Sequence, residues 1–172
     1  SHKSVALFGC GDSDSYSDTF CDAIGIIYED LKDTHCKFCG AVDTAGYTFD
    51  SSIAVVDGKF VGLPIDEVNE DNQTEERISA WAEQVKQEIS YAMVSIYETL
   101  GLYDKAYDFL VEQATGCPWL LLSTVQTIVK KVGYYDRLST AIYIRLAADD
   151  LSPECRLEFE KIRNWLFLEH SR

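Results

Sequence analysis

Cys36 and Cys39, with His35 beside them, are the first residues in this chain whose types and spacing could do chemistry. Two thiolates and an imidazole suit zinc, but a structural zinc site takes four ligands and is usually built from two such pairs. The remaining cysteines, at 10, 21, 117 and 155, supply no second pair. Residues 37–42 also read as a strand, where side chains three apart point to opposite faces. Cys36 and Cys39 are therefore read as structural, and all six cysteines as reduced thiols. Asp43, Asp50, Asp57, Asp66, Glu67, Glu70 and Asp71 form an acidic series read as a solvated face. His2 and His170 are terminal and read as solvent-facing. Residues 90–172 hold no nucleophile–base pairing, phosphate loop or metal set, and the chain is not expected to be an enzyme.

The formal net charge is −14. Duplex nucleic acid and anionic membrane surfaces are poor partners for such a chain, because the phosphate term is repulsive; basic proteins are favoured. The charge is uneven, with −12 on residues 1–89 and −2 on residues 90–172. A step of this size at one point predicts two units of different origin, 1–89 and 90–172. The hydrophobic fraction of 47% supports packed cores in both. No apolar run reaches the ~20 residues of a membrane helix. No basic segment leads into an apolar one as in a signal peptide, so a cytoplasmic location is expected. Ser1-His2 reads as a tag remnant.

In the first unit, Val5-Ala6-Leu7-Phe8 is a buried strand ending at Gly9-Cys10-Gly11-Asp12. A loop through Tyr16 leads to Asp18 or Thr19, either of which can cap a helix. That helix carries an apolar stripe of Phe20, Ala23, Ile24, Ile27 and Leu31. Residues 37–42 form a second strand and 59–63 a third, ended by Pro64. Thr74 precedes Glu75-Glu76 as an N-cap, and Ile78, Trp81, Ala82 and Val85 line one face of the next helix. No Gly or Pro interrupts residues 75–100, so this is one helix of about 26 residues, ~40 Å long, or two with a bend near Ile89-Ser90.

The run from Val5 to Asp12, with Tyr16, Phe20 and Asp22-Ala23, resembles the second flavin-binding loop of flavodoxins and the helix behind it. Residues 44–52 and 57–67 resemble the strand-splitting insertion of the long-chain members. Glu75 through Glu88, with Arg77 and Trp81, is similar to their last helix. The resemblance covers residues 3–89. It implies the C-terminal half of a doubly wound α/β sheet, from a family of one-electron carriers that use FMN. It also implies that Tyr16 stacks on the flavin ring and that the backbone at Cys10, Gly11 and Asp12 meets its pyrimidine edge. Aromatic stacking and nearby negative charge favour the oxidised flavin over its anionic reduced form. The family's phosphate grip is a Thr/Ser-x-Thr-Gly-x-Thr/Ser run on a loop and helix N-terminus. Residues 1–172 contain no such run, so the chain is not expected to be a competent carrier alone.

Beyond residue 90 the pattern is all helix. Residues 100–105, Leu-Gly-Leu-Tyr-Asp-Lys, recur 32 positions later as Val-Gly-Tyr-Tyr-Asp-Arg. A repeat near this period marks stacked helix–turn–helix units. The spacing of Tyr97, Gly101, Tyr103, Ala106 and Pro118 resembles a tetratricopeptide-type hairpin. The later copy departs from it, with Leu138 for the small Ala and Pro153 a few residues late, so a generic helical bundle stays open. Ser152-Pro153 opens a last helix with Leu157, Ile162, Trp165 and Leu166 mostly on one side.

The fold class expected is thus α/β plus all-α: a partial flavodoxin-like sheet joined to a helical hairpin repeat or bundle. Helical repeats offer protein-binding grooves and rarely catalyse. An engineered or recombined chimera would explain the abrupt junction. A strand lacking one neighbour would recruit a protein partner or a second copy through its edge.

Overall fold

The computed structural model describes residues 3–116 and 120–170, with the side chains of 115, 116 and 170 excepted. Ser1, His2, Cys117, Pro118 and the side chain of His170, all assigned readings above, lie outside it. The chain divides into two compact units, Ser1–Ser90 and Tyr91–Arg172.

The first unit is built on the extended stretch 4–10, comprising β1 (Ser4–Ala6) and β2 (Phe8–Cys10). β1 runs parallel to β3 (Lys37–Cys39), and β2 runs parallel to β7 (Leu63–Ile65). Residues between β3 and β7 form a separate antiparallel sheet in the order β4-β6-β5, from Val42–Asp43, Lys59–Phe60 and Val55–Val56. The partner of the central stretch is thus split in two. Lys3 O accepts from Lys37 N, Leu7 O accepts from Leu63 N, and Gly11 N donates to Ile65 O. In a strand the backbone groups of alternate residues point to opposite edges. All three bonding residues are odd-numbered, so β3 and β7 lie along the same edge. The even-numbered backbone groups face the other edge, which meets no strand among the described residues.

Side-chain alternation decides what packs on each face. Leu7 is buried with Phe20, Cys21, Ile24, Phe60 and Val61, and Gly9 leaves no room for a Cβ beside Ile24. Phe8 points the other way and meets the Trp81 ring edge-on at 6.3 Å. Helix α1 (Asp22–Leu31) begins later than expected. Ser17–Thr19 is a short 3-10 turn, and Cys21 in a left-handed conformation precedes the helix, so neither Asp18 nor Thr19 caps it. Its inward side also differs from the expected stripe. Ile24 and Gly25 are buried, whereas Ala23 is exposed and Ile27 is 45% exposed. A Cβ at Gly25 would meet the backbone of Ile53 and Ala54 at 2.6–2.7 Å, so glycine lets the inserted sheet settle onto the helix. Pro64 does not end a strand but sits inside β7. The placement is permitted because β7 pairs on one side only, with β2.

Helix α2 (Asp71–Thr99) is continuous and starts ahead of Thr74. Ile78 and Ala82, expected on its inward face, are exposed. The inward positions include polar Arg77, Gln84 and Glu88, which serve the loops. Arg77 donates to Gly46 O at 2.8 Å and Gln84 to Ala41 O at 2.9 Å, while Glu88 accepts from Gly40 N at 2.9 Å. Trp81 Nε1 donates to Gly40 O at 2.8 Å.

The second unit contains α3 (Tyr103–Gly116), α4 (Leu122–Val132), α5 (Asp136–Leu146) and α6 (Pro153–His170). Its core joins Val94, Tyr107, Leu110, Ile128, Leu138, Ile142, Phe159 and Ile162. The two copies of the repeated hexapeptide fold alike. Gly101 (φ 68°) and Gly133 (φ 77°) both take the left-handed conformation that ends one helix before the next. Ser152 Oγ caps α6 by accepting from Cys155 N at 3.3 Å. Leu157, expected inward on α6, is 53% exposed, and Phe159 takes its place.

A buried tyrosine joins the hairpins. The Tyr107 hydroxyl accepts from Leu138 N at 3.1 Å, satisfying one of the orphan N–H groups that open α5. Its ring meets Tyr134 edge-on at 4.7 Å. Tyr134 donates to Asp104 at 2.6 Å, and Arg137 pairs with Asp108 at 2.5 Å. The hydrogen bond to Asp104 leads the causes that push the Tyr134 phenol up to about 12. Replacing Tyr107 with Phe leaves the Leu138 amide buried without its acceptor. The expected cost is about 1–2 kcal/mol of stability in this unit, read as a lower denaturation midpoint for the loss of helical circular dichroism.

Candidate functional site

The loop following β2 is ordered by two carboxylates and one amide. Asp66, at the end of β7, is 1% exposed. It accepts from Ser13 N at 2.9 Å and Ser13 Oγ at 2.6 Å. It also accepts from Val68 N at 3.0 Å and Asn69 N at 2.9 Å. Asn69 Nδ2 bridges to Asp66 at 2.9 Å and to Asp12 at 3.0 Å. Asp12 in turn accepts from Ser15 N at 2.8 Å and Asp14 N at 3.1 Å, folding residues 12–15 into a closed turn. Burial opposes the charge on Asp66, but the bonds from Ser13 and Asn69 outweigh it and hold the carboxyl far below the usual carboxylate range. Asp12 is also lowered, chiefly by the Ser15 backbone N–H and then by Asn69.

The far side of the loop is tied to the insertion. Asp50 N and Ser51 N donate to Ser17 O, and Ser51 Oγ donates to Asp18 O at 2.5 Å. Asp22 accepts from Ile53 N at 2.9 Å. Phe20, Phe49, Phe60 and Tyr47 pack as an aromatic cluster beneath, with ring centroids 5.0–6.4 Å apart. The Arg77 guanidinium lies 4.0 Å from the Tyr47 ring centroid and pairs with Glu70 at 2.5 Å, fixing the inserted segment to α2.

Cys10, Gly11, Asp12 and Tyr16, the expected cofactor contacts, are brought onto this one loop. Tyr16 is 63% exposed. Its backbone is fixed, since Tyr16 N donates to Asp12 O at 3.0 Å and Tyr16 O accepts from Thr19 N at 3.2 Å. Cys10 is exposed at the strand end. Gly11 N–H is spent on Ile65 O, continuing the β2–β7 ladder. A Cβ at Gly11 would fall 2.7–2.9 Å from Cys21 and Phe20, so glycine is required there by packing. The arrangement offers an exposed aromatic ring and the exposed Cys10 on one hydrogen-bonded loop.

Asp66 overturns one reading of the acidic series. Asp43, Asp50, Asp57, Glu67 and Asp71 are exposed as expected, but Asp66 is buried and Glu70 is half-buried against Arg77. Asp66, Ser13 and Asn69 were missed as site residues. The available signal was an Asp directly after an apolar strand end with Asn three positions on, the pattern of a side chain capping its own turn. Cys36 Sγ and Cys39 Sγ bond weakly to the carbonyls of Leu31 and Lys37 at 3.6 and 3.9 Å. No group of three or more His, Cys, Asp or Glu suited to a metal occurs among the described residues. No helix among them is long and apolar enough to cross a membrane.

No family model matches the chain. Over 84 residues it is 54% identical to the flavodoxin of Helicobacter pylori, a match covering 49% of this chain and 50% of that protein. It is 43% identical over 88 residues to flavodoxin 1 of Azotobacter vinelandii, covering 51% of each. A solved structure similar to it is that of Fusobacterium nucleatum flavodoxin bound to flavin mononucleotide, with 34% identity and a TM-score of 0.49 over 50% of this chain and 52% of the other. The chain spans about half the length of the curated relatives it matches. Flavodoxin homologues thus account for about half the chain. They lend no support to a tetratricopeptide-type reading of the second unit.

Asp66→Asn keeps the shape but turns an amide N–H₂ toward donors. The expected loss is about 2–3 kcal/mol of stability in the first unit. The sign with pH follows from the lowered folded value. The unfolded carboxyl titrates near ~3.9, so acid below that value protonates the unfolded state first and erodes stability down to the folded value. Urea midpoints of the parent chain, followed from pH 7 downward, are expected to fall in that range. Part of this fall disappears in Asp66→Asn.

Proposed function

We propose that the first unit is the flavin-ring half of a one-electron carrier site. In this reading it requires a phosphate-binding half that these 172 residues do not contain. The observation that carries the reading is the loop 10–16, held in place by Asp66, Asn69 and Asp12 with the Tyr16 ring left on the surface. The 54% identity to a flavodoxin over 84 residues supports it. Tyr16 would stack on the isoalloxazine, and the backbone of Cys10 and Asp12 would meet its polar edge. Gly11 contributes its small size, because its N–H is already bonded. When bound, FMN supplies the one-electron chemistry; the protein's part is to hold the ring and keep negative charge near it.

The edge formed by the even-numbered residues of 4–10 is where the complementary half would pair. Phe8 of that stretch, 65% exposed, would be covered in the same step. With −12 on residues 1–89, self-pairing through this edge is opposed by charge repulsion, and a separate protein partner is favoured over a second copy. The second unit, on this reading, is a helical protein-interaction module. The whole is a non-enzymatic, cytoplasmic chimera that does not carry electrons alone.

The test is reconstitution. The chain is mixed with FMN in the presence and absence of a polypeptide comprising the N-terminal half of the Helicobacter pylori flavodoxin. A bound flavin spectrum is expected only when both halves are present. Tyr16→Ala is expected to weaken flavin binding about tenfold, the worth of one stacked aromatic pair. Colourless protein in every mixture would sink the reading.

A further inference from the structure

The 32-residue repeat allows the two hairpins to be compared position by position, and the comparison exposes a difference. Ala106 and Leu110 of α3 correspond to Leu138 and Ile142 of α5, and all four are buried. Tyr107, Val111 and Ala114 form a stripe at i, i+4 and i+7, on one side of α3. Tyr107 and Ala114 are 0% exposed and Val111 packs on the core, and the next hairpin sits on Tyr107 through Tyr134 and the Leu138 amide. The corresponding stripe on α5 is Ser139, Tyr143 and Leu146. Here Tyr143 is 53% exposed.

Ser139 and Tyr143 of this stripe line a cleft of about 380 Å³, whereas Leu146 packs on the core. Asp136, Ser139, Thr140 and Tyr143 form its α5 wall. Arg163, Leu166 and Phe167 of α6 form the other. The structure itself shows what covers such a face. On α3 the occupant is the turn and helix of residues 134–142, whose Tyr134 bonds to Asp104 and whose Arg137 bonds to Asp108. Asp104 has a counterpart in Asp136, so the acid that receives the incoming turn is retained. Asp108 is replaced by Thr140, which removes one charge. Arg163 lies in the opposite wall, and its bonds to Asn164 are long, at 3.3–3.4 Å.

We infer that the α5–α6 cleft is a docking site for one amphipathic helix of a partner protein. That helix seats on Ser139, Thr140 and Tyr143 as α5 seats on α3. Its first turn carries a cation or a tyrosine hydroxyl for Asp136, its inward stripe is apolar, and an acid on its flank meets Arg163. The site continues an interface the fold already uses once, so shape and spacing are set by the repeat. This rests on reading the second unit as a protein-interaction module.

The probe is a fluorescently labelled synthetic peptide of residues 132–147, the segment that fills the equivalent face on α3, titrated with the intact chain. Saturable binding is expected. Tyr143→Asp, a change at an exposed position, is expected to weaken it tenfold or more with helical circular dichroism unchanged. Leu157→Asp, exposed on α6 outside the cleft, is expected to leave it unchanged. Saturable binding that survives Tyr143→Asp overturns this site but leaves the module reading standing. No saturable binding at millimolar peptide overturns both. If the chain dimerises in solution and Tyr143→Asp abolishes the dimer, a second copy holds this face and the partner-helix assignment is wrong.

Discussion

Asp66 leaves the end of β7 with its carboxylate out of water, where an unpaired charge would be untenable. Its oxygens instead collect hydrogen bonds from Ser13, Val68 and Asn69, and Asn69 passes the connection on to Asp12. The loop after β2 and the turn after β7 therefore share one anchor. This tie joins the candidate loop to the end of the sheet. Without it the turn that Asp12 closes over residues 12–15 would lose its tie to the end of β7. The site is preorganised by charge-assisted bonds at its root and presents uncharged aromatic and backbone groups at its tip.

The sheet imposes a second constraint. Residues 4–10 have their odd-numbered backbone groups satisfied by β3 and β7, while the even-numbered edge meets no strand among the described residues. The inserted sheet does not share that edge; it packs on Gly25 of α1 and is clamped by Arg77 of α2. The first unit is therefore well packed on one side of its central strand and open on the other. The open strand edge and the exposed Phe8 both belong to the stretch 4–10.

The second unit reaches order by repetition. Gly101 and Gly133 end helices in the same conformation, and the hairpins they create stack through Tyr107, whose hydroxyl caps the following helix. The face of α5 that corresponds to the one covered on α3 keeps an acid and exposes Tyr143.

The local patterns were legible in the residues alone. The strand at 5–8, the Gly turns, the Ser152-Pro153 helix start and the loop bearing Cys10, Gly11, Asp12 and Tyr16 depend on neighbours in the chain, and each came from spacing or from resemblance. Burial was not legible wherever it depended on a distant segment. Asp66 looked like any other acid in its series, because its donors at Ser13 lie 53 positions away. Ile27 and Ala82 looked like core residues, because periodicity reports which face is apolar and not whether anything covers it. The bonds of Arg77, Gln84 and Glu88 reach loops folded over α2 from distant parts of the chain. Local propensity and side-chain spacing are properties of a short stretch, so the sequence by itself determined the elements and the composition of the candidate loop. Desolvation and hydrogen-bond satisfaction are properties of two stretches brought together, so only the tertiary structure decided which carboxylate anchors that loop and which apolar faces remain open.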